Sequence, residues 1–175
     1  MQAFDSLSRD IQQYIYDKGW PSLTHIQNAA IKQVANTDHN LILSAPTASG
    51  KTEAAFIPAL NSVEDWETGL KVLYISPLKA LINDQFHRIS ELSEYLDIPI
   101  TRWHGEVSQA QKKKVVNQPK GVLLITPESI EGMLVNRPGE AQHLFKGVEW
   151  IIIDELHSFL GTERGIHLQS LLQRI

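Results

Sequence analysis

Apolar positions along the chain fall into two alternating patterns. Short, almost wholly apolar runs are typical of buried strands, and they predict five strands at residues 41–43, 72–75, 98–103, 122–125 and 148–154. Between these runs, apolar residues recur at helical spacing, which predicts helices at about residues 4–18, 26–36, 52–66, 78–96 and 168–175. Alternating strands and helices indicate an α/β fold, a parallel sheet with helices on both faces in three layers.

The segment after the first predicted strand has the composition of a phosphate-binding loop. It runs Ala-Pro-Thr-Ala-Ser-Gly-Lys-Thr from Ala45 to Thr52, which matches the P-loop signature except that Ala45 replaces the first glycine. Gly50 allows a tight turn, Lys51 places a cation on the β- and γ-phosphates, and the Thr52 hydroxyl ligates magnesium. Backbone N–H groups at a helix N-terminus hold phosphate oxygens. The loop residues just before the predicted helix are therefore also expected in the nucleotide site: Thr47, Ala48 and Ser49. A chance match in a turn is the alternative.

Two adjacent carboxylates follow the last predicted strand, at Asp154 and Glu155. Asp154 suits a magnesium ion held through water, and Glu155 suits a general base that polarises the attacking water. Solvated acids at a helix N-terminus would give the same pattern. Together with the phosphate loop, the pair favours a site for ATP with Mg²⁺ in which Lys51, Asp154 and Glu155 are the catalytic residues.

At these two motifs the chain resembles the DEAD/DEAH-box group of superfamily 2 helicases, since Asp154-Glu155-Leu156-His157 is a DExH form of the box. The resemblance implies that residues 1–175 are the first RecA-like domain of a P-loop NTPase. It also implies a second RecA-like domain, in cis or in trans, because the sequence has no Ser-Ala-Thr motif and no second domain with its arginine finger. We therefore expect this polypeptide alone to bind nucleotide, hydrolyse it slowly and not unwind.

The resemblance also implies which residues recognise the adenine and which residue couples the nucleotide state to strand binding. The segment from Gly19 to Gln27 resembles the Q motif, in which Trp20 would stack near adenine and Gln27 would read its edge. A glutamine amide can donate and accept at once, which suits that role. His157 of the box would couple the nucleotide state to strand binding.

Three loops that follow predicted strands resemble the family's contacts to a single strand of DNA or RNA. They contribute eight residues: Pro77, Leu78, Lys79, His104, Gly105, Thr126, Pro127 and Glu128. Helix N-termini suit phosphate groups, although Pro77 and Pro127 also fit plain strand-to-helix turns. The sequences Ser-Pro-Leu-Lys-Ala-Leu, Thr-Pro-Glu-Ser and Gly-Thr-Glu-Arg-Gly are most similar to the Lhr-like branch of the group.

Composition and charge limit the kinds of partner and cellular location that we expect for this protein. The 175 residues include no cysteine, which excludes disulfides. Their net charge is −4, which indicates that a nucleic acid would bind in a local groove rather than over a basic surface. No apolar run is long enough to span a bilayer, so we expect a cytoplasmic protein without a membrane partner. Lys112–Lys114 are expected on a solvated helix face, and Glu163 with Arg164 as a local ion pair. A P-loop ATPase acting on a protein, or a non-catalytic nucleotide-dependent module, remains an alternative.

Overall fold

The computed structural model of the protein describes residues 3–175. The chain divides into two compact units, Met1–Glu64 and Asp65–Ile175. The first unit is helical in its regular structure, and the second contains a sheet.

The described residues of the first unit form three helices: α1 (Arg9–Asp17), α2 (His25–Asn36) and α3 (Lys51–Ser62). A short 3-10 turn, Phe4–Ser6, precedes them. Ser8 caps the N-terminus of α1, since its side chain accepts from the Ile11 N–H. The chain turns away after the helix at Gly19, which has a φ of +64°. Helices α2 and α3 pack against each other. All three helices overlap the predicted ones, although α1 begins later and α3 ends earlier than expected.

The strand predicted at Leu41–Leu43 is wrong. Residues 37–46 have no regular secondary structure, and Ile42 is 83% exposed. A strand needs a neighbour to pair its backbone N–H and C=O groups, and no described strand pairs with this segment. The apolar run alone was therefore insufficient evidence for a strand.

The second unit contains a parallel sheet of four strands, β1 (Gly69–Ile75), β2 (Ile100–Trp103), β3 (Lys120–Ile125) and β4 (Trp150–Ile153). Their order in the sheet is β2-β3-β1-β4. Ile75 is in register with Ile125 on one side and with Ile153 on the other, while Trp103 is in register with Ile125. The carboxyl ends of all four strands therefore lie side by side along one edge of the sheet.

Five helices surround this sheet: α4 (Lys79–Tyr95), α5 (Gln109–Asn117), α6 (Pro127–Asn136), α7 (Pro138–Phe145) and α8 (Glu163–Leu172). Consecutive residues of β1 and β3 are buried, so neither face of these central strands is open to water. The expected parallel α/β fold is confirmed. Strand β4 is less buried than its apolar sequence predicts, since it lies at the sheet edge and Ile151 is 38% exposed. Among the described residues, no helix is both long and apolar enough to cross a membrane.

Candidate functional site

The phosphate loop of the first unit leads directly into helix α3. Gly50 has a φ of +84°, a conformation that L side chains rarely adopt. A Cβ atom at this position would come within 2.5 Å of the Gln27 Nε2 atom. The backbone conformation therefore favours glycine, and a side chain at this position would also displace the end of the Gln27 side chain. Ala48 also has a positive φ, of +60°, and this strained non-glycine residue lies in the middle of the loop.

The side chain of Lys51 folds back over the loop. Its Nζ atom donates hydrogen bonds to the carbonyl oxygens of Ala45 and Pro46, at 2.6 and 2.7 Å. The N-terminus of α3 has no side-chain cap, so its first N–H groups and the positive end of the helix dipole are open to an anion. A cation beside an uncapped helix N-terminus fits a bound phosphate group.

Gln27 connects the start of α2 to this loop. Its side chain is 4% exposed, its Oε1 atom accepts from the Thr24 N–H at 2.9 Å, and its Nε2 atom donates to the Gly50 carbonyl at 3.4 Å. In this conformation the amide is engaged by the protein's own groups, so reading of adenine by Gln27 remains a prediction. Trp20 is half-buried and meets Tyr14 edge to face, with ring centroids 6.2 Å apart.

In the second unit, Asp154 lies directly after β4, at the carboxyl edge of the sheet. Its backbone N–H donates to the Ile75 carbonyl at 2.9 Å and so extends the pairing with β1. Its Oδ1 atom accepts from the Glu155 N–H at 2.9 Å, and its Oδ2 atom accepts from the Tyr74 hydroxyl. A carboxylate with one donor on each oxygen keeps lone pairs for a further ligand. These hard oxygen atoms fit a magnesium ion, directly or through water.

Tyr74 was not predicted as a site residue. It lies on β1 opposite Ile152 of β4 and is 3% exposed. Burial and the neighbouring Asp154 carboxylate raise the pKa of its phenol well above the ordinary range, so the hydroxyl remains a donor. The only signal in the sequence was a polar phenol oxygen within an otherwise apolar strand core.

Glu155 and His157 extend from the end of this strand. Glu155 has a φ of +48°, which is unusual for a residue with a side chain and is often found at functional sites. The His157 Nδ1 atom lies 3.3 Å from the Glu155 carboxylate, and the His157 side chain is 79% exposed. The predicted base and the predicted coupling residue therefore lie close together, and both are open to solvent.

The loops after β1 and β3 present a mixture of exposed and structural residues. Leu78 is exposed, and the exposed Lys79 forms an ion pair with Glu106. Thr126 caps α6 by accepting from the Ser129 N–H at 3.3 Å, and Pro127 is buried at the start of that helix. These positions follow strand ends as expected, while their contact with a nucleic acid remains a prediction.

The loop after β2 differs, because His104 is buried whereas Gly105 is exposed. The His104 Nε2 atom lies 3.2 Å from Asn83 Oδ1, which also accepts from Arg102 at 2.8 Å. Burial, reinforced by the positive charge of Arg102, lowers the pKa of the His104 imidazole. In this conformation His104 supports the loop from inside.

Arg164 corrects another expectation, because its ion pair is with Glu128 and not with the adjacent Glu163. Lys112 lies over the Trp103 ring, 5.7 Å from its centroid, on a helix with no buried residue. The expected solvated helix face for Lys112–Lys114 is consistent with that exposure.

Comparison with known proteins identifies the family. The profile of the family described as DEAD/DEAH box helicase matches residues 24–175, which include the phosphate loop, the acidic pair and all three strand-exit loops. The chain belongs to the DEAD/DEAH box helicase family. The family match confirms the resemblance drawn from the box and the phosphate loop.

Individual relatives support the same assignment and the expected Lhr-like branch. The chain is 35% identical to the Lhr helicase/uracil glycosylase of Escherichia coli over 87% of the chain and 11% of that protein. It is 29% identical to the ATP-dependent helicase Lhr-Core of Methanocaldococcus jannaschii over 99% of the chain and 22% of that protein. The structure of Mycobacterium smegmatis helicase Lhr bound to ssDNA and AMP-PNP superposes with a TM-score of 0.86 and 28% identity, covering 99% of the chain and 23% of that structure.

These comparisons confirm the RecA-like fold that the family resemblance implies. The chain spans less than a quarter of the length of each of these three relatives. What those whole proteins do is therefore carried to this chain only as a proposal.

Proposed function

We propose that this chain is the ATP-binding and ATP-hydrolysing part of an ATP-dependent helicase or translocase that acts on single-stranded DNA or RNA. The observation that carries the proposal is the phosphate loop, where the Lys51 ammonium lies beside the uncapped N-terminus of α3. Membership of the DEAD/DEAH box helicase family supports the same function. A cytoplasmic location is part of the proposal and suits a sequence without cysteine.

The nucleotide would be held mainly by the loop itself. Backbone N–H groups from Thr47 to Thr52 bind phosphate oxygens, and Lys51 moves from its own loop carbonyls to the β- and γ-phosphates. Trp20 stacks beside the adenine, and Gln27 exchanges its contact with Gly50 for the adenine edge. Gly50 permits the left-handed backbone turn that leads the loop into α3.

Asp154 and Glu155 would carry out the chemistry of hydrolysis. Thr52 and Asp154 would hold Mg²⁺, which neutralises the charge on the phosphates when it is bound. Glu155 accepts a proton from the attacking water as the γ-phosphate is released. We propose that a second RecA-like domain contributes the remaining cationic group, since an arginine finger typically contributes about 10³- to 10⁵-fold in rate.

The strand would lie along the carboxyl edge of the sheet. The loops after β1, β2 and β3 meet at that edge, and the N-termini of α4 and α6 direct N–H groups towards phosphates. Backbone contacts of this kind do not by themselves distinguish DNA from RNA. We therefore expect binding to either strand, with any preference set by contacts to the 2′-hydroxyl.

Calorimetric titration of Mg·ATP and Mg·ADP into the protein tests the nucleotide site. Saturable binding is expected in the wild type and in Lys32→Ala, which removes an exposed lysine of α2. It should be lost in Lys51→Ala. Equal binding by Lys51→Ala and Lys32→Ala would show that the loop does not hold the phosphates.

A further inference from the structure

One arginine joins three separate segments of the second unit. Arg164, in the first turn of α8, donates from Nη2 to the Pro77 carbonyl at 2.8 Å and to Glu128 Oε1 at 2.6 Å. Its Nε atom donates to the same Glu128 oxygen at 3.1 Å. Its guanidinium centre also lies 5.5 Å from the centroid of the Phe159 ring.

Each partner of Arg164 belongs to a different part of the proposed machinery. Pro77 is in the loop after β1, Glu128 is in the first turn of α6 after β3, and Phe159 follows the acidic pair. Pro77 and Glu128 lie in two of the loops that we propose contact the strand. Arg164 is thus placed between those two loops and the segment that leads away from Asp154 and Glu155.

The packing beneath Arg164 fixes where its side chain can go. Phe159 is 1% exposed, so the ring that the guanidinium faces cannot turn freely. A Cβ atom at Gly165 would come within 2.0 Å of the Phe159 carbonyl oxygen. Helix α8 therefore begins in close contact with the segment after the acidic pair, and displacement of that segment would carry Arg164 with it.

We propose that Arg164 is a positioning residue that transmits movement of the segment after Glu155 to the two strand-binding loops. A planar guanidinium can hold a carboxylate and a carbonyl at fixed angles while its face rests on a ring. Through these contacts the loops after β1 and β3 move together, so the nucleotide state alters the grip on the strand. Glu128 then holds Arg164 in place. In return, the Arg164 guanidinium offsets the negative charge of the Glu128 carboxylate close to the strand's phosphates. This inference rests on the strand contacts given under the proposed function.

The same pair of helices provides a matched control. Arg174, just beyond α8, donates to Glu131 of α6 from Nη1 at 3.3 Å and also from Nη2. The Nε atom of the same side chain donates to the Ser170 carbonyl. Arg164–Glu128 and Arg174–Glu131 are therefore both half-exposed arginine–glutamate pairs that link α6 to α8 or to the residues just after α8, and such pairs contribute little to stability. Only the first pair reaches a strand-exit loop through Pro77.

The test measures the affinity of the purified protein for a fluorescent single-stranded oligonucleotide, with and without Mg·AMP-PNP. The ratio of the two affinities reports the coupling. Coupling between two sites typically spans about 5- to 150-fold, and we expect Arg164→Ala to reduce the wild-type ratio by at least about fivefold. Arg174→Ala should retain the wild-type ratio.

Two conservative variants keep the test decisive if Arg164→Ala folds poorly. Arg164→Lys retains the charge but cannot hold both acceptors in one plane, so it should lose most of the coupling. Glu128→Gln weakens the pair from the other side and should act in the same direction. Thermal unfolding of each variant verifies that it is folded at the assay temperature.

The outcomes separate the inference from the function on which it rests. If the wild type binds the strand with a nucleotide-dependent affinity and Arg164→Lys and Arg174→Ala give the same ratio, Arg164 is not a positioning residue. If the wild type binds neither DNA nor RNA oligonucleotides, the proposed function itself fails. A selective loss in the variants of Arg164 and Glu128 supports the inference.

Discussion

The phenolic hydroxyl of Tyr74 on β1 donates a hydrogen bond to the carboxylate of Asp154 at the end of β4. The two residues are 80 positions apart in sequence, yet they meet because β1 and β4 are parallel neighbours. The bond fixes the orientation of the carboxylate that we propose holds magnesium. Removing a group that orients a metal ligand typically lowers metal affinity by about 10- to 100-fold.

Replacing Tyr74 with phenylalanine removes this bond and retains the ring. A hydrogen bond to a charged group is typically worth about 1.5–3 kcal/mol, and we expect the Mg²⁺ concentration for half-maximal ATP binding to rise by about tenfold or more. Binding of ATP in excess EDTA should not change, because that measurement contains no metal. Titration of Mg²⁺ at fixed ATP checks the prediction, with the exposed Tyr16→Phe as the control. An unchanged Mg²⁺ dependence would assign Tyr74 to packing alone.

Gly50→Ala should damage the phosphate loop. The new methyl group would meet Gln27 Nε2 at 2.5 Å while the backbone stays at a φ of +84°, and strain of this kind costs about 1–3 kcal/mol. We expect a lower melting temperature and weaker nucleotide binding. Gly132→Ala is the matched control, because Gly132 lies within α6 with no atom within 4 Å of an added Cβ. That variant should be neutral or stabilised by up to about 1 kcal/mol. Equal behaviour of the two variants in thermal unfolding would contradict the prediction.

The N-cap of α6 gives a prediction that separates stability from strand binding. Thr126→Ala removes the oxygen that accepts from the Ser129 N–H, which typically costs about 0.5–2 kcal/mol. Thr126→Ser keeps the cap and should keep most of the stability. Urea unfolding measures both variants. If serine restores stability but not strand affinity, the threonine methyl group contributes to the strand contact. Equal stability of the alanine and serine variants would show that the cap is not significant.

Acid should destabilise the protein partly through His104. Burial lowers the pKa of this imidazole in the folded state, the positive charges of Arg102, Lys112 and Lys79 act in the same direction, and Glu106 opposes them. Because the unfolded chain then binds a proton more readily, the stabilising contribution is fully present above the ordinary histidine pKa of about 6.5 and declines as the pH falls below it. We expect the melting temperature of His104→Gln to fall less than that of the wild type between about pH 7.5 and about pH 5.5, values on either side of that pKa. Parallel losses in the two proteins would exclude His104 as the cause.

Local patterns in the sequence were sufficient to predict much of the fold. Strands β1 and β3 contain the continuous apolar runs 72–75 and 122–125, which are buried in the middle of the sheet as such runs predict. Helix α3 begins at Lys51, where the phosphate-loop signature places it. The segment Leu41–Leu43 has the same apolar character but forms no strand, because strand formation depends on a partner that a local pattern does not contain. Helices α6 and α7 were not predicted, and both begin at a proline.

Contacts between distant segments could not be predicted in this way. Arg164 bonds to Glu128 and Pro77, which are 36 and 87 residues away, whereas the sequence suggested the adjacent Glu163. Tyr74 acts on Asp154 only through the register of two strands. His104 was expected in a loop open to a strand, and only the structure shows its side chain to be buried. Residue types therefore indicated the chemistry, while the partners of each group depended on the topology.

The measurement that tests the central claim most directly is the rate of ATP hydrolysis with and without a single strand of DNA or RNA. It uses the protein together with the second RecA-like domain proposed above, and Lys51→Ala serves as the inactive reference. We predict that a single strand of at least one type accelerates hydrolysis and that Lys51→Ala abolishes the accelerated rate. Hydrolysis that neither strand changes, or that continues undiminished in Lys51→Ala, would contradict the account.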